Sequence, residues 1–217
     1  RARHGPEVVL IDGSPGGQVL ARRVRARDVR GLAGDLVLCA TDAGETEALD
    51  GLEGTPRWRA NGHWQTSDAA GAVLRIGHLL HEVDASTGRT RWSVPAFSTW
   101  EVVLCSEQVL VLDRPQGGGV SVRALRRVDG VTLWELAPPA DRYVDAVTVA
   151  SDVVTFALHP TLGRGPATLL ALDLLTGERL FERALEEGGI VDLLPVDGGL
   201  VVGLRTLRRT AVLELLI

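Results

Sequence analysis

The sequence contains no lysine: all 23 Lys+Arg residues are arginine. That excludes a Schiff-base amine, the lysine of a Walker-type phosphate loop and a kinase-type ATP lysine within these 217 residues. Methionine is absent too, position 1 included, and the expectation drawn from this is a portion or processed form of something longer. Only two cysteines occur, Cys39 and Cys105, too few for a disulfide scaffold or a four-thiolate metal site. The longest apolar runs are about five residues, as in Leu36–Ala40, far short of the roughly 20 that cross a bilayer as a helix. No apolar segment of signal-peptide type is visible. Excess positive charge is missing as well: the net charge of -5 argues against bulk attraction to nucleic acid.

What is present is 45% hydrophobic and 24% charged, a globular composition, in a chain long enough to bury a sizeable core. Its arrangement is periodic. Taking Asp12, Asp50, Asp84, Arg126 and Asp173 as anchors, the preceding residue is always branched and apolar: Ile11, Leu49, Val83, Leu125 and Leu172. Four residues after each anchor stands a glycine: Gly16, Gly54, Gly88, Gly130 and Gly177. Eight residues after each stands a large side chain: Leu20, Trp58, Trp92, Trp134 and Phe181. With 25 glycines in 217 residues, five matches in five trials have a chance probability on the order of 10⁻⁵ before the choice of register is allowed for. A sixth anchor is read at Leu213-Glu214, and the spacings of 38, 34, 42, 47 and 41 define a unit of some 40 residues.

The physics of this unit is that of a β-hairpin. A short apolar strand such as 168–172 ends at an aspartate, whose carboxylate accepts bonds from nearby backbone N–H groups and starts a turn. Glycine supplies the positive φ that other residues resist, and the return strand carries β-branched and aromatic residues, as in 90–94. Two further strand-like runs separate successive hairpins, near 29–32 and 36–39 in one repeat and at 145–149 and 153–158 in another. Four short strands per repeat predict an all-β chain, a β-propeller of four-stranded antiparallel blades. The rival is a helical array of similar period, for which Leu169, Leu172, Leu180 and Leu185 would form a stripe. Thr176-Gly177 interrupts that stripe, and the corresponding stretch 78–94 carries Ser86-Thr87-Gly88 and a β-rich return.

The register resembles the quinoprotein-type (pyrroloquinoline-quinone-like) repeat, whose blades read apolar-Ala-Leu-Asp-x-x-Thr-Gly followed by a tryptophan. The nearest copies are Leu170-Ala171-Leu172-Asp173-Leu174-Leu175-Thr176-Gly177 and Glu82-Val83-Asp84-Ala85-Ser86-Thr87-Gly88 with Trp92. The resemblance implies that Trp58, Trp92, Trp134 and Phe181 pack between adjacent blades, with Leu20 a weakened version. Arg126 departs from the pattern and leaves Asp129 as its substitute. The implied organisation is one β-propeller domain over 1–217 of about five blades, with a hairpin at 7–24, blades at about 28–60, 63–95, 99–137 and 143–185, and a partial blade at 189–217. Two arrangements remain open. The ring closes if 18–24 lies beside 210–216 as a fourth strand and displaces 7–11; otherwise the chain is an arc of a larger ring. The arc is the expectation.

Quinone enzymes with this repeat use adjacent cysteines, a calcium held by acidic and amide oxygens, and a catalytic aspartate. Here the cysteines are 66 residues apart and asparagine occurs once, at Asn61. The expectation is no catalytic set, no cofactor and no metal, with both cysteines serving as small apolar strand residues. His78 and His81 lie three apart, on opposite faces of a strand, and read as surface or turn histidines; His4, His63 and His159 fall in loop-like sequence. Asp12-Gly13-Ser14-Pro15-Gly16-Gly17 is a hairpin turn with no helix to cradle a phosphate. Arginine clusters at Arg22, Arg23, Arg25, Arg27 and Arg30, and alternation puts Arg23, Arg25 and Arg27 on one strand face, solvated or meeting an acidic partner surface. The longer loops 116–119 and 159–166 are candidate partner-binding insertions. The functional expectation is a non-enzymatic protein-interaction scaffold whose partners are another protein or further domains of the same one. Nucleic acid is not among them, and no membrane span is expected in this stretch. A ligand-sensing propeller of a signalling protein is the second reading and a quinone-dependent oxidoreductase the third. Localisation leans to the cytoplasm, with export the alternative.

Overall fold

The computed structural model describes residues 7–10, 22–25, 28–114, 120–162, 165–185, 189–196, 199–205 and 210–216. These contain no helix and 21 strands. A two-stranded sheet joins β1 (Glu7–Leu10) to β2 (Arg22–Arg25). Four sheets of four strands follow in chain order. They comprise β3–β6 (Val29–Ala33, Leu36–Ala40, Glu45–Asp50, Pro56–Asn61), β7–β10 (His63–Ser67, Gly71–Ile76, Leu79–Asp84, Thr90–Pro95), β11–β14 (Thr99–Leu104, Gln108–Asp113, Ser121–Arg126, Thr132–Leu136) and β15–β18 (Arg142–Ala150, Val153–Pro160, Thr168–Asp173, Arg179–Ala184). A fifth sheet has three strands, β19 (Gly189–Val196), β20 (Gly199–Arg205) and β21 (Thr210–Leu216). Each strand pairs with its neighbour in sequence, so every sheet is an antiparallel meander.

The hairpin joining the third and fourth strands of each sheet has the chemistry its residues imply. Asp84 Oδ1 accepts from the backbone N–H groups of Ser86 and Thr87 at 3.1 and 3.0 Å. Asp50 does the same for Leu52 and Glu53, and Asp173 for Leu175 and Thr176. The glycine four residues on closes the turn through Gly54 N–H to Asp50 O, Gly88 N–H to Asp84 O and Gly177 N–H to Asp173 O. Gly54, Gly88, Gly130 and Gly177 all have φ between 67 and 73°, so the hairpin built on Arg126 keeps the same backbone.

A second constraint acts on these glycines. A Cβ on Gly88 would stand 2.6 Å from Trp58 Cδ2, one on Gly130 2.9 Å from Trp92, and one on Gly177 2.6 Å from Trp134 Cγ. Each turn therefore lies flush on the indole of the preceding sheet. The indole N–H completes the seam: Trp58 Nε1 donates to Ala85 O at 2.6 Å and Trp134 Nε1 to Leu174 O at 2.9 Å.

Internal contacts divide the chain into two compact units: Arg1–Ala96 with Val102–Leu104 and Val128–Gly130, and Phe97–Glu101 with Cys105–Arg127 and Val131–Ile217. In the first, Leu36, Leu38, Ala48 and Trp58 of one sheet meet Ala72, Leu74, Val83 and Ala85 of the next. In the second, Ala157 and Leu169 of the fourth sheet meet Leu193, Leu200 and Val202 of the fifth, and Phe181 packs on this cluster.

β2 is paired with β1 in the register Glu7↔Arg25 to Leu10↔Arg22. One reading of the chain termini changes. Glu214 is not the sixth anchor. The anchor position pairs with the first residue of the second strand, as Asp50 with Leu36, Arg126 with Gln108 and Asp173 with Val153. In the fifth sheet that pair is Leu216 with Gly199.

The seam separates two glycines that share a positive φ. A methyl group added at Gly77 would meet nothing within 4 Å, whereas one added at Gly88 meets the indole. Gly77→Ala is expected to cost about 1 kcal/mol in a urea unfolding titration, and Gly88→Ala about 3 kcal/mol because overpacking adds to backbone strain. Equal costs would show that the indole is not in close contact.

Candidate functional site

The fourth strand of every complete sheet starts with a register shift. The pairs Ala48↔Trp58 and Leu49↔Pro56 leave Arg57 unmatched, and the same break isolates Arg91, Leu133 and Leu180. A bulge of this kind re-aims one side chain. In the first unit the re-aimed residue is arginine, and it returns to the anchor. Arg57 Nε and Nη2 donate to Asp50 Oδ2 at 3.0 and 2.5 Å, and Arg91 Nη2 donates to Asp84 Oδ2 at 2.7 Å. Each aspartate thus uses one oxygen for the turn and the other for the arginine. In the second unit the bulge carries Leu133 and Leu180, which are exposed, as is Leu175 in the turn beside Trp134.

These bonds fix the charge states. The hydroxyl of Ser86, then Arg91 and Thr87, hold the Asp84 carboxyl well below the usual carboxylate range. Arg57 lowers Asp50, and the backbone N–H and hydroxyl of Thr176 lower Asp173. Glu82 stands where Ala48, Ala124 and Ala171 stand in the other sheets; it is fully buried, and Arg91 Nη1 reaches its Oε1 at 3.3 Å. A second buried network, not legible in the sequence, joins Thr99 Oγ1 to Asp113 Oδ1 at 2.6 Å and Arg123 Nη2 to Asp113 Oδ2 at 2.6 Å.

The remaining candidates are placed as follows. Asp12, Gly16, Leu20 and Arg27 lie outside the described residues. Arg23 and Arg25 are on β2, at the register positions of Val9 and Glu7. Cys39 is buried against Val37 and Leu49 on β4, and Cys105 is half-buried after β11. Burial pushes both thiols up to about 11, so both are protonated at neutral pH. His78 is exposed in the β8–β9 turn, and His81 Nδ1 lies 2.6 Å from Ser93 Oγ. His63 and His159 are strand residues rather than loop residues. His159 lies near the end of β16, stacks on Tyr143 with ring centroids 5.7 Å apart and lies 3.7 Å from Asp145, which occupies a bulge of β15. Among the described residues no three His, Cys, Asp or Glu side chains are grouped to hold a metal ion, and no helix is long and apolar enough to cross a membrane.

Residues 62–194, well over half of the chain, match the PQQ-repeat family model described as outer membrane protein assembly factor BamB. The chain belongs to this family. No curated protein matches it. Solved structures agree on the fold. BamB from Moraxella catarrhalis is 18% identical with a TM-score of 0.50, over 98% of this chain and 81% of that one. Quinohemoprotein alcohol dehydrogenase from Comamonas testosteroni is 11% identical with a TM-score of 0.54, over 82% of this chain and 40% of the enzyme. The C-terminal WD40 domain of Sif2 is 9% identical with a TM-score of 0.58, over 84% of this chain and 55% of that one. The fold is a β-propeller of four-stranded antiparallel PQQ-type blades.

In this PQQ-repeat chain the lowered carboxyl of Asp84 makes stability acid-sensitive. A carboxylate depressed in the folded state contributes fully above the unfolded pKa of about 4 and loses its contribution as pH falls below that. The urea midpoint of the wild type is expected to drop below about pH 4. Asp84→Asn is expected to lower the midpoint at pH 7 and to flatten the acid decline; an unaltered acid slope would contradict the assignment.

Proposed function

We propose that the chain is a non-enzymatic β-propeller acting as a protein-interaction scaffold within a larger protein or complex. The observation that carries this reading is its membership of a family described as an assembly factor. The employment of its polar residues supports it: Asp50 with Arg57 and Asp84 with Arg91 are engaged in turn and bulge contacts, and both thiols are held protonated. A repeat whose recurring chemistry maintains stacking leaves its differing loops and edges for partners.

The quinone cofactor of the dehydrogenase neighbours does not fit the described residues. Cys39 is part of the β4 core, Cys105 lies between β11 and β12 of a different repeat, and Asn61, the sole asparagine, is exposed at the end of β6. No redox step is assigned to this chain.

The test has two arms. The tagged chain, crosslinked in its own cells, is expected to yield a stoichiometric protein adduct. Mixed with pyrroloquinoline quinone and calcium and then desalted, it is expected to retain no quinone absorbance and to show no dye-linked alcohol oxidation. Retained quinone with turnover, and no adduct, would overturn the scaffold reading.

A further inference from the structure

Asparagine occurs once in the chain, and a glycine follows it: Asn61-Gly62. The pair stands at a one-residue link between sheets. β6 ends at Asn61 and β7 begins at His63, so Gly62 alone joins the first four-stranded sheet to the second, where residues 96–98 and 137–141 make the next two connections. Both of these sheets lie in the first compact unit.

The fold demands this glycine. Its φ is 114°, and a Cβ there would stand 2.7 Å from Ile76 Cγ1 and 3.0 Å from the carbonyl oxygen of Arg75. The same lack of a side chain leaves the Gly62 nitrogen unscreened against a neighbouring carbonyl carbon. That carbon is at hand. The Asn61 side chain is exposed, and among the described residues its carboxamide has no hydrogen-bond partner, so its Cγ is free to turn toward Gly62 N. Two things oppose the approach: the strand conformation of Asn61, at the last rung Glu45↔Asn61 of the β5–β6 pair, and the bond from Gly62 N–H to Gly44 O at 3.3 Å. That bond is longer than an ordinary N–H···O contact, and the end of a strand opens at little cost.

We propose that Asn61-Gly62 is a self-modifying site, where intramolecular deamidation converts the link between the first two four-stranded sheets to isoaspartate. Gly62 N attacks Asn61 Cγ and gives up its proton; the Cγ–Nδ2 bond breaks, ammonia leaves, and a succinimide ring closes. Water then opens the ring. Cleavage between Gly62 N and Asn61 Cγ gives aspartate. Cleavage between Gly62 N and the main-chain carbonyl carbon of Asn61 gives isoaspartate, whose main chain runs through Cβ and Cγ. Either product carries a new carboxylate, and isoaspartate also lengthens the main chain by one carbon. The added atom falls where Thr46 Oγ1 donates to Gly62 O at 2.9 Å and where Gly62 lies against Leu74 and Ile76, so it displaces contacts that seat the second sheet on the first. The inference is independent of the scaffold reading.

The test incubates the whole folded chain at mildly alkaline pH, digests it with trypsin and follows the peptide of residues 60–75 by mass spectrometry. An unincubated sample carried through the same digestion sets the zero point, and Gln65 in the same peptide is the internal reference. Asn61 is expected to show the mass gain of an amide becoming an acid, in two products separable by chromatography. One of them is expected to accept a methyl group from S-adenosylmethionine in the presence of a protein isoaspartate methyltransferase. The rate in the folded chain is expected to lie within about tenfold of that of a synthetic peptide of residues 60–75, the slowing that one backbone hydrogen bond imposes. Asn61→Gln is expected to abolish methyl acceptance by this peptide. Asn61→Asp supplies the charge without the extra carbon, so faster hydrogen exchange around Trp64 and Leu74 is expected in the isoaspartate form and not in this variant. The proposal is overturned by no mass gain at Asn61, by aspartate as the sole product, or by a slowing beyond about tenfold, which would mean that the reaction waits for unfolding. Identical exchange in the isoaspartate form and in Asn61→Asp would overturn the effect on the link.

Discussion

A flat indole lying on a glycine that has no side chain is the contact on which the remainder of this structure depends. A four-stranded sheet of six-residue strands has two broad faces and cannot bury either alone. Stacking one sheet on the next hides those faces, but only if the hairpin of the second comes close enough for Leu36, Leu38 and Ala48 to meet Ala72, Leu74 and Val83. The bare Cα of Gly88 permits that approach over Trp58, and the indole N–H then satisfies the carbonyl of Ala85 in the same turn. One residue's missing Cβ and another's ring are thus two halves of a single device, repeated at Gly130 on Trp92 and at Gly177 on Trp134.

The bulge beside each aromatic divides the labour between scaffold and surface. Where it carries arginine, at Arg57 and Arg91, the side chain folds back to tie the strand to its own turn. Where it carries leucine, at Leu133 and Leu180, the tie is absent and apolar surface faces solvent. The repeat therefore tolerates different chemistry at this one place without losing its backbone, as it tolerates Arg126 in place of an aspartate while Gly130 keeps its φ of 73°. A fold that separates stacking residues from variable ones in this way suits a role in assembly, since partners can change while the seams are kept.

Much of this is legible in the sequence because it is local chemistry. The interval from aspartate to glycine encodes a turn within five residues, and the interval to tryptophan encodes the return strand, so the residues alone place the sheets. Features that depend on partners distant in sequence are not legible. His63 and His159 read as loop residues because each adjoins a turn-forming residue, Gly62 and Pro160; it is pairing with Arg75 and Tyr143 that makes them strand. The bulge leaves no trace because an extra residue inside a strand does not alter the Asp-to-Trp interval that every repeat shares. Glu214 matches the anchor in type, but β21 pairs with β20 in the register Gly199↔Leu216, which puts the anchor position at Leu216. The Thr99–Asp113–Arg123 network joins three strands, and nothing in the spacing of those residues announces it.

The most direct measurement of the seam is a double-mutant cycle on Trp134 and Gly177 by chemical denaturation. If the ring and the glycine form one contact, Gly177→Ala destabilises strongly in the wild-type background and far less once Trp134→Ala has removed the ring, with a coupling energy of about 1 kcal/mol or more. Additivity within about 0.5 kcal/mol would mean that the glycine answers to its turn alone, and the account of how these sheets stack would be contradicted.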